Sequence, residues 1–175
     1  MSHSDADLAM TGKVDIAGVV LAGGLGRRMG SVDKGLQRLR GKAMVERVLE
    51  RFAPQVGEVL ISANQNVALY AGFGHPVIAD IVAGFAGPLA GLHAALTATS
   101  LPLVASVPCD SPFLPKDLVN RLRRSLEVQQ ADLAVARTFD QPHPVFCLCR
   151  RELVGHLAAF LDVGGRKVGL WYATL

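Results

Sequence analysis

The apolar run Val19-Val20-Leu21-Ala22 passes without a break into Gly23-Gly24-Leu25-Gly26-Arg27-Arg28-Met29-Gly30, and Asp33-Lys34 follows shortly after. A buried strand that ends in a glycine-rich loop is a way of holding a polyphosphate, because glycine has no Cβ to keep backbone N–H groups away from the ligand. Arg27, Arg28 and Lys34 supply the positive charge to offset it. The competing reading is a tight strand-to-helix turn with solvated basic residues. The density of glycine and cation together favours the phosphate site.

Two common phosphate loops do not fit this segment. A P-loop needs Gly-Lys followed by Ser or Thr, whereas Lys34 is followed by Gly35 and no such triplet occurs in the chain. A dinucleotide fingerprint needs G-x-G-x-x-G, but Gly24-Leu25-Gly26-Arg27-Arg28 continues with Met29, and Gly30 comes one residue late. A nicotinamide-dependent oxidoreductase is disfavoured on that ground.

The rest of the chain alternates short apolar runs with amphipathic ones. Strands are expected at residues 16–21, 58–62, 76–79, 103–107, 132–136 and 145–149, mostly without the in–out alternation of a half-exposed sheet. Helices are expected at residues 43–52, 65–70, 88–99, 115–129 and 151–161, the first with Met44, Val45, Val48, Leu49 and Phe52 on one face. The fold class that follows is α/β, a doubly wound and mostly parallel sheet in a single domain, whose ligands bind where strands end.

The chain's 175 residues suit one domain with one core. A net charge of +3 with 6% aromatic residues, and no basic run longer than a pair, argues against a nucleic-acid partner. Arg123-Arg124 and Arg150-Arg151 read as solvated surface. No apolar run reaches the length of a membrane span, and residues 1–13, polar and without a signal peptide's apolar centre, read as a flexible leader to a domain covering 14–175. Cys109, Cys147 and Cys149 lack a zinc framework and read as buried free thiols in a reducing cytoplasm.

Three polar residues stand just past expected strand ends. Asp110 follows the run at 103–107; by itself it is either a turn residue or a carboxylate for Mg²⁺, which needs only one or two carboxylates when phosphates complete its shell. Asp80 follows 76–79 and is a strand-end turn or a ligand for a base or ribose. Asn64 caps the next helix or holds base or sugar. Gly87-Pro88 reads as a helix start with Pro88 at the first helical position. His93 reads as a satisfied packing residue, and neither it nor His156 is a site candidate.

The segment LAGGLGRRMGSVDKGL resembles the signature of the molybdenum cofactor guanylyltransferases, within the nucleotide-diphospho-sugar-transferase-like, Rossmann-like nucleotidyltransferases. The similarity continues through Gly41-Lys42, Ser62-Ala63-Asn64, Asp80, Gly87-Pro88-Leu89-Ala90-Gly91, Pro108-Cys109-Asp110-Ser111-Pro112-Phe113 and His143-Pro144, covering about residues 14–170. The resemblance implies transfer of GMP from GTP to the terminal phosphate of molybdopterin, with Mg²⁺ held by Asp110. Lys34, Arg28 and Asp110 become the catalytic residues, and Leu21, Ala22, Gly23, Gly24, Arg27, Lys34, Asn64, Asp80 and Asp110 the nucleotide-binding set. LAGG with GPLAG favours GTP over CTP.

On the acceptor side, His143-Pro144 and Arg166-Lys167 are candidates to meet an anionic pterin. Cofactor-insertion proteins or acceptor molybdoenzymes would be the downstream partners in the cytoplasm. One departure stands out: family members usually continue past the equivalent of Tyr172 to another strand, an Asn-x-Asn-Thr-Pro segment and a last helix. That departure leaves a truncated, non-catalytic GTP-binding homologue as one alternative; a cytidylyl or sugar-phosphate nucleotidyltransferase of the same fold is the other.

Overall fold

The computed structural model describes residues 15–22, 33–82 and 87–175. Its main sheet has six strands: β1 (Ile16–Leu21), β4 (Glu58–Ser62), β5 (Val77–Ile78), β6 (Leu103–Pro108), β7 (Leu133–Thr138) and β8 (Gln141–Arg150), in the order β5-β4-β1-β6-β8-β7. The pairs β5·β4, β4·β1 and β1·β6 are parallel. Strand β8 runs antiparallel to both β6 and β7. The sheet is therefore mostly parallel, as expected, with one strand reversed.

That reversal comes from a hairpin the apolar runs do not announce. Phe139 and Asp140 join Thr138 to Gln141, with Phe139 at φ 53°. Strand β8 starts four residues before the expected apolar run, because Pro142 and His143 pair with Arg137 and Ala136 across a register shift at Val135/Ala136. A second, two-stranded hairpin was also unforeseen: β2 (Arg38–Leu39) and β3 (Lys42–Ala43) flank a turn with Arg40 and Gly41 at φ 51° and 82°. Positive φ at both central residues is the two-residue hairpin geometry that twists with its strands.

Helices cover both faces. On one lie α1 (Met44–Phe52), the short α2 (Val67–Ala71) and α4 (Leu118–Val128); on the other lie α3 (Pro88–Ala98), α5 (Val154–Asp162) and α6 (Val168–Tyr172). Ile16 and Val20 of β1 belong to the first core and Ala17 and Val19 to the second, so the central strand feeds both layers and carries no polar side chain. In α1, Val45, Val48, Leu49 and Phe52 are buried, which is the face the spacing indicates. Helix α6 was not expected; it seats a fully buried Trp171, whose Nε1 donates to Nδ1 of His156 on α5 at 3.1 Å. His93 is buried on α3, and its Nδ1 finds no hydrogen-bond partner among the described residues.

The arginine pairs act as fasteners. Arg123 grips Asp15 through two bonds of 2.7 and 3.1 Å, tying α4 to the root of β1. Arg150 meets Asp132, and Arg151 donates to the Thr99 carbonyl at 2.7 Å. Arg150 and Asp132 remain a largely exposed surface pair, as expected, whereas Arg123 and Arg151 have partners that tie them into the fold.

Gln55, just after α1, is the most heavily used buried amide. Its Nε2 donates to the carbonyls of Arg51 and Pro115 at 2.8 and 2.9 Å, and its Oε1 accepts the N–H of Val119 at 2.9 Å. It thereby caps the start of α4, whose own Asp117 makes no side-chain cap. It also anchors the segment after β6. Gln55→Ala leaves a buried donor and acceptor unmatched and is expected to cost about 1–3 kcal/mol, read as a lower urea midpoint at unchanged slope.

Candidate active site

The parallel strands finish level. Leu21 lies opposite both Ser62 and Pro108, and Ser62 opposite Ile78. The ladder then runs one residue further: Ala22 N–H donates to Ser62 at 2.8 Å, Ala63 N–H to Ile78 at 2.9 Å and Cys109 N–H to Leu21 at 3.1 Å. Asn64, Asp80 and Asp110 consequently emerge along one rim. From β1 the chain adds strands outward through β4 to β5, then returns to place β6 on the other side of β1. The switch point is between β1 and β6, where open α/β sheets bind ligands.

At that point Lys34 Nζ lies 3.4 Å from Asp110 Oδ2, with side chains 54% and 34% exposed. A pair this exposed contributes little to stability, so its partners separate at small cost. Lys34 stands in a turn organised by Asp33. Oδ1 of Asp33 accepts the Gly35 N–H at 3.2 Å and the Tyr70 hydroxyl at 2.5 Å, while Oδ2 accepts the Asn66 amide at 2.9 Å. Tyr70 is fully buried. A Cβ on Gly35 would sit 2.5 Å from the Tyr70 oxygen and 3.0 Å from Cys109 Sγ, so only glycine lets the turn lie this deep.

Asn64 and Asp80 pair with each other. The Asn64 amide donates to Asp80 Oδ2 at 2.8 Å, and its carbonyl accepts the Asp80 N–H at 2.9 Å. Asn64 therefore does not cap the next helix; Asn66, in the left-handed region at φ 52°, occupies that position. Burial raises the Asp80 carboxyl above its ordinary range, against the opposing hydrogen bonds of Asn64 and Ser62. Helix α3 begins beside this pair of strands: Gly87 has φ 69°, Pro88 is the first helical residue, and a Cβ on Gly91 would collide with Ser62 Oγ at 2.6 Å and Leu21 Cδ2 at 2.7 Å.

Beyond Asp110 the chain forms one wall of a cleft of about 640 Å³. Its other walls come from α4 and the β7–β8 hairpin, and Arg121, Arg137, His143 and Phe146 line it. His143 Nε2 is 3.0 Å from Thr138 Oγ1, and its ring meets Phe146 edge-on. Of the two acceptor candidates, His143 shares this cleft with Asp110. Arg166 does not; its guanidinium bonds the Leu161 and Gly165 carbonyls at 2.9 and 2.7 Å, closing the end of α5. Cys109 is held as a neutral thiol, pushed up to about 12 by burial and by the charges of Asp110 and Asp33, which makes it a poor nucleophile.

Gly23, Gly24, Arg27 and Arg28 lie outside the described residues. Sequence reasoning missed Asp33, Asn66 and Tyr70. The available signal was an acidic residue immediately before Lys34; Tyr70 looked like no more than the end of an apolar helix.

A doubly wound sheet with a lysine and a carboxylate facing each other at its switch point is a frame able to hold an anionic ligand such as a nucleotide. The family model described as MobA-like NTP transferase domain matches residues 18–174. The molybdenum cofactor guanylyltransferase of Cupriavidus necator is 48% identical over 94% of this chain and 85% of its own length, and that of Burkholderia ambifaria 50% identical over 90% and 82%. The chain belongs to this family of MobA-like nucleotidyltransferases, together with the molybdenum cofactor guanylyltransferases. Among solved structures, molybdopterin-guanine dinucleotide biosynthesis protein A from Archaeoglobus fulgidus superposes with a TM-score of 0.76 at 26% identity, over 91% of this chain and 80% of that one. A 4-diphosphocytidyl-2C-methyl-D-erythritol synthase from Anaerococcus prevotii shares the fold, with a TM-score of 0.69 at 11% identity over 95% of this chain and 84% of its own.

The raised Asp80 carboxyl has a definite sign. The unfolded group ionises near its ordinary value of 3.8 and the folded group at higher pH, so stability falls as pH rises through that interval and stays lower above it. Asp80→Asn should raise the melting temperature at neutral pH, with the gain vanishing at about pH 3, where the carboxyl is protonated in both states. Scanning calorimetry across that range checks it; an unchanged melting temperature at neutral pH would count against the burial argument.

Proposed function

We propose that this protein transfers GMP from GTP to the terminal phosphate of molybdopterin, releasing pyrophosphate and leaving the guanine dinucleotide form of the cofactor. The observation that carries the reading is the approach of Lys34 to Asp110 across the switch point. The names of the relatives support the substrates. An oxygen of the acceptor's phosphomonoester attacks the α-phosphorus of GTP while the bond from that phosphorus to the bridging oxygen breaks, and the electron pair leaves with pyrophosphate. The incoming phosphate is already ionised near neutral pH, so no protein nucleophile is needed. Catalysis is positioning and charge neutralisation.

Lys34, with Arg28 and Arg27, stabilises charge gathering on the leaving pyrophosphate; the backbone N–H groups of Gly23 and Gly24 cradle the nucleotide, while Leu21 and Ala22, whose ladder bonds go to Cys109 and Ser62, bring the chain to that point. Asn64 and Asp80 face the guanine or its ribose. Asp110 offers one carboxylate opposite Lys34 at the switch point, a donor set that fits Mg²⁺ completed by phosphate oxygens and water. Bound there, the ion would neutralise charge on the triphosphate. The cleft beyond Asp110, with His143 on its wall, takes the acceptor. Buried thiols that form no disulfide suit a reducing cytoplasm; insertion proteins or acceptor molybdoenzymes would receive the product there.

Lys34→Ala is expected to cost on the order of 3 kcal/mol of transition-state stabilisation, roughly a hundredfold in kcat. Asp110→Ala should remove the Mg²⁺ dependence of GTP binding as well as turnover. Calorimetric titration should show Mg²⁺-dependent GTP binding well above CTP; equal affinities would return the cytidylyl alternative, and near-normal turnover in either variant would refute the assigned roles. On the acceptor side, His143→Ala should raise KM for the acceptor about tenfold while GTP affinity holds, as steady-state kinetics with each substrate varied in turn can establish.

A further inference from the structure

The proposed reaction asks Lys34 for accurate aim, yet its side chain is more than half exposed and intrinsically loose. What aims it is the turn at its base. Both oxygens of Asp33 are engaged, by three donors from two parts of the chain: the Gly35 N–H within the turn, and Tyr70 and Asn66 from the connection after β4. Tyr70 has no exposed surface, so its hydroxyl cannot exchange Asp33 for water. Burial first, and then the neighbouring Asp33, push that hydroxyl far above its ordinary range, which keeps it a donor.

Gly35 completes the arrangement. It is wedged between Tyr70 and Cys109, the residue preceding Asp110. Tyr70, Gly35 and Cys109 thus form a packed row that spans from the helix beside β5 to the end of β6. The lysine turn is fixed on one side to the nucleotide-facing edge of the sheet and on the other to the strand that carries Asp110.

We propose that Tyr70 and Asp33 are positioning residues for Lys34: the buried tyrosine hydroxyl holds the aspartate, and the aspartate sets the turn that directs the lysine ammonium toward the transferring phosphates opposite Asp110. The inference rests on the transfer reading above. It assigns Tyr70 and Asp33 no contact with substrate; their effect on rate passes through Lys34.

A double-mutant cycle on the full chain tests this, with kcat, KM for GTP, GTP affinity by calorimetry and melting temperature measured for each variant. Tyr70→Phe deletes one oxygen and keeps the buried ring. It should lower kcat about tenfold while GTP affinity changes less than about twofold, because aim matters most in the transition state. In a Lys34→Ala background the same change should alter kcat less than about twofold, the non-additivity of residues that act as a unit. Asn66→Gly removes the third donor at an exposed position whose left-handed backbone suits glycine, and should lower kcat in the same direction by less. Asp33→Asn, which keeps an acceptor for Tyr70, should retain more activity than Asp33→Ala. Equal losses from Tyr70→Phe in both backgrounds, or a fall in melting temperature with kcat untouched in both Tyr70→Phe and Asn66→Gly, would overturn the proposal while leaving the transferase reading intact. If Lys34→Ala itself leaves kcat unchanged, the catalytic reading of the lysine fails, and this proposal with it.

Discussion

The site depends on the level finish of β1 with its two parallel neighbours. Because Leu21 is in register with Ser62 on one side and Pro108 on the other, the residues that follow each strand leave the sheet at one height. A parallel ladder fixes this through evenly spaced backbone bonds, and a slip of one residue would turn every buried side chain of β1 to the wrong layer. Both layers are apolar, so shape and not polarity specifies the register: a Cβ at Gly18 would lie 2.7 Å from the Phe52 ring and 2.9 Å from Val56, and only glycine fits there. Chemistry is carried by what lies just beyond it, where no side chain need satisfy the core.

The rim that results is acidic at three places, Asp33, Asp80 and Asp110, and a protein that binds a polyanion needs a reason for that. Each carboxylate has a different partner. Asp33 is saturated by hydrogen-bond donors and is spent on structure; Asp80 is shared with Asn64; Asp110 has Lys34 within ion-pair distance in an exposed setting. The first cannot be recruited by a ligand without losing these bonds. The last can, because an exposed ion pair separates at little cost. Partner chemistry, more than position alone, distinguishes these three carboxylates, and the recognition and metal-binding roles proposed for Asp80 and Asp110 follow that difference.

The segment after Asp110 is held with comparable care. Arg51 donates to the Leu114 carbonyl at 3.2 Å, and Gln55 to that of Pro115, so the end of α1 supports the loop from below. This support gives the cleft between α4 and the β7–β8 hairpin a fixed wall. His143 reaches that cleft only because β8 begins earlier than its apolar run and because the hairpin turns it back alongside β7.

Much of this was legible in the chain itself. Strands β1 and β4 have the limits that their apolar runs give, and the buried face of α1 follows its spacing; such features are encoded by contacts each segment makes with a uniform layer, whatever the partner. The glycine-rich loop, Lys34, Asp110, Asp80 and Asn64 could be marked as candidates because each follows a recognisable strand. What the sequence could not decide was pairing. The reversal of β8, the mutual bonding of Asn64 and Asp80, the seizure of Asp33 by Tyr70, the diversion of Arg166 to a helix end and the placing of Arg123 on Asp15 all join residues far apart in the chain. A side chain's type limits which bonds it can make, but only the folded arrangement sets which donor and acceptor arrive within reach of one another, and that choice brings Lys34 to Asp110 rather than leaving it to solvent alone.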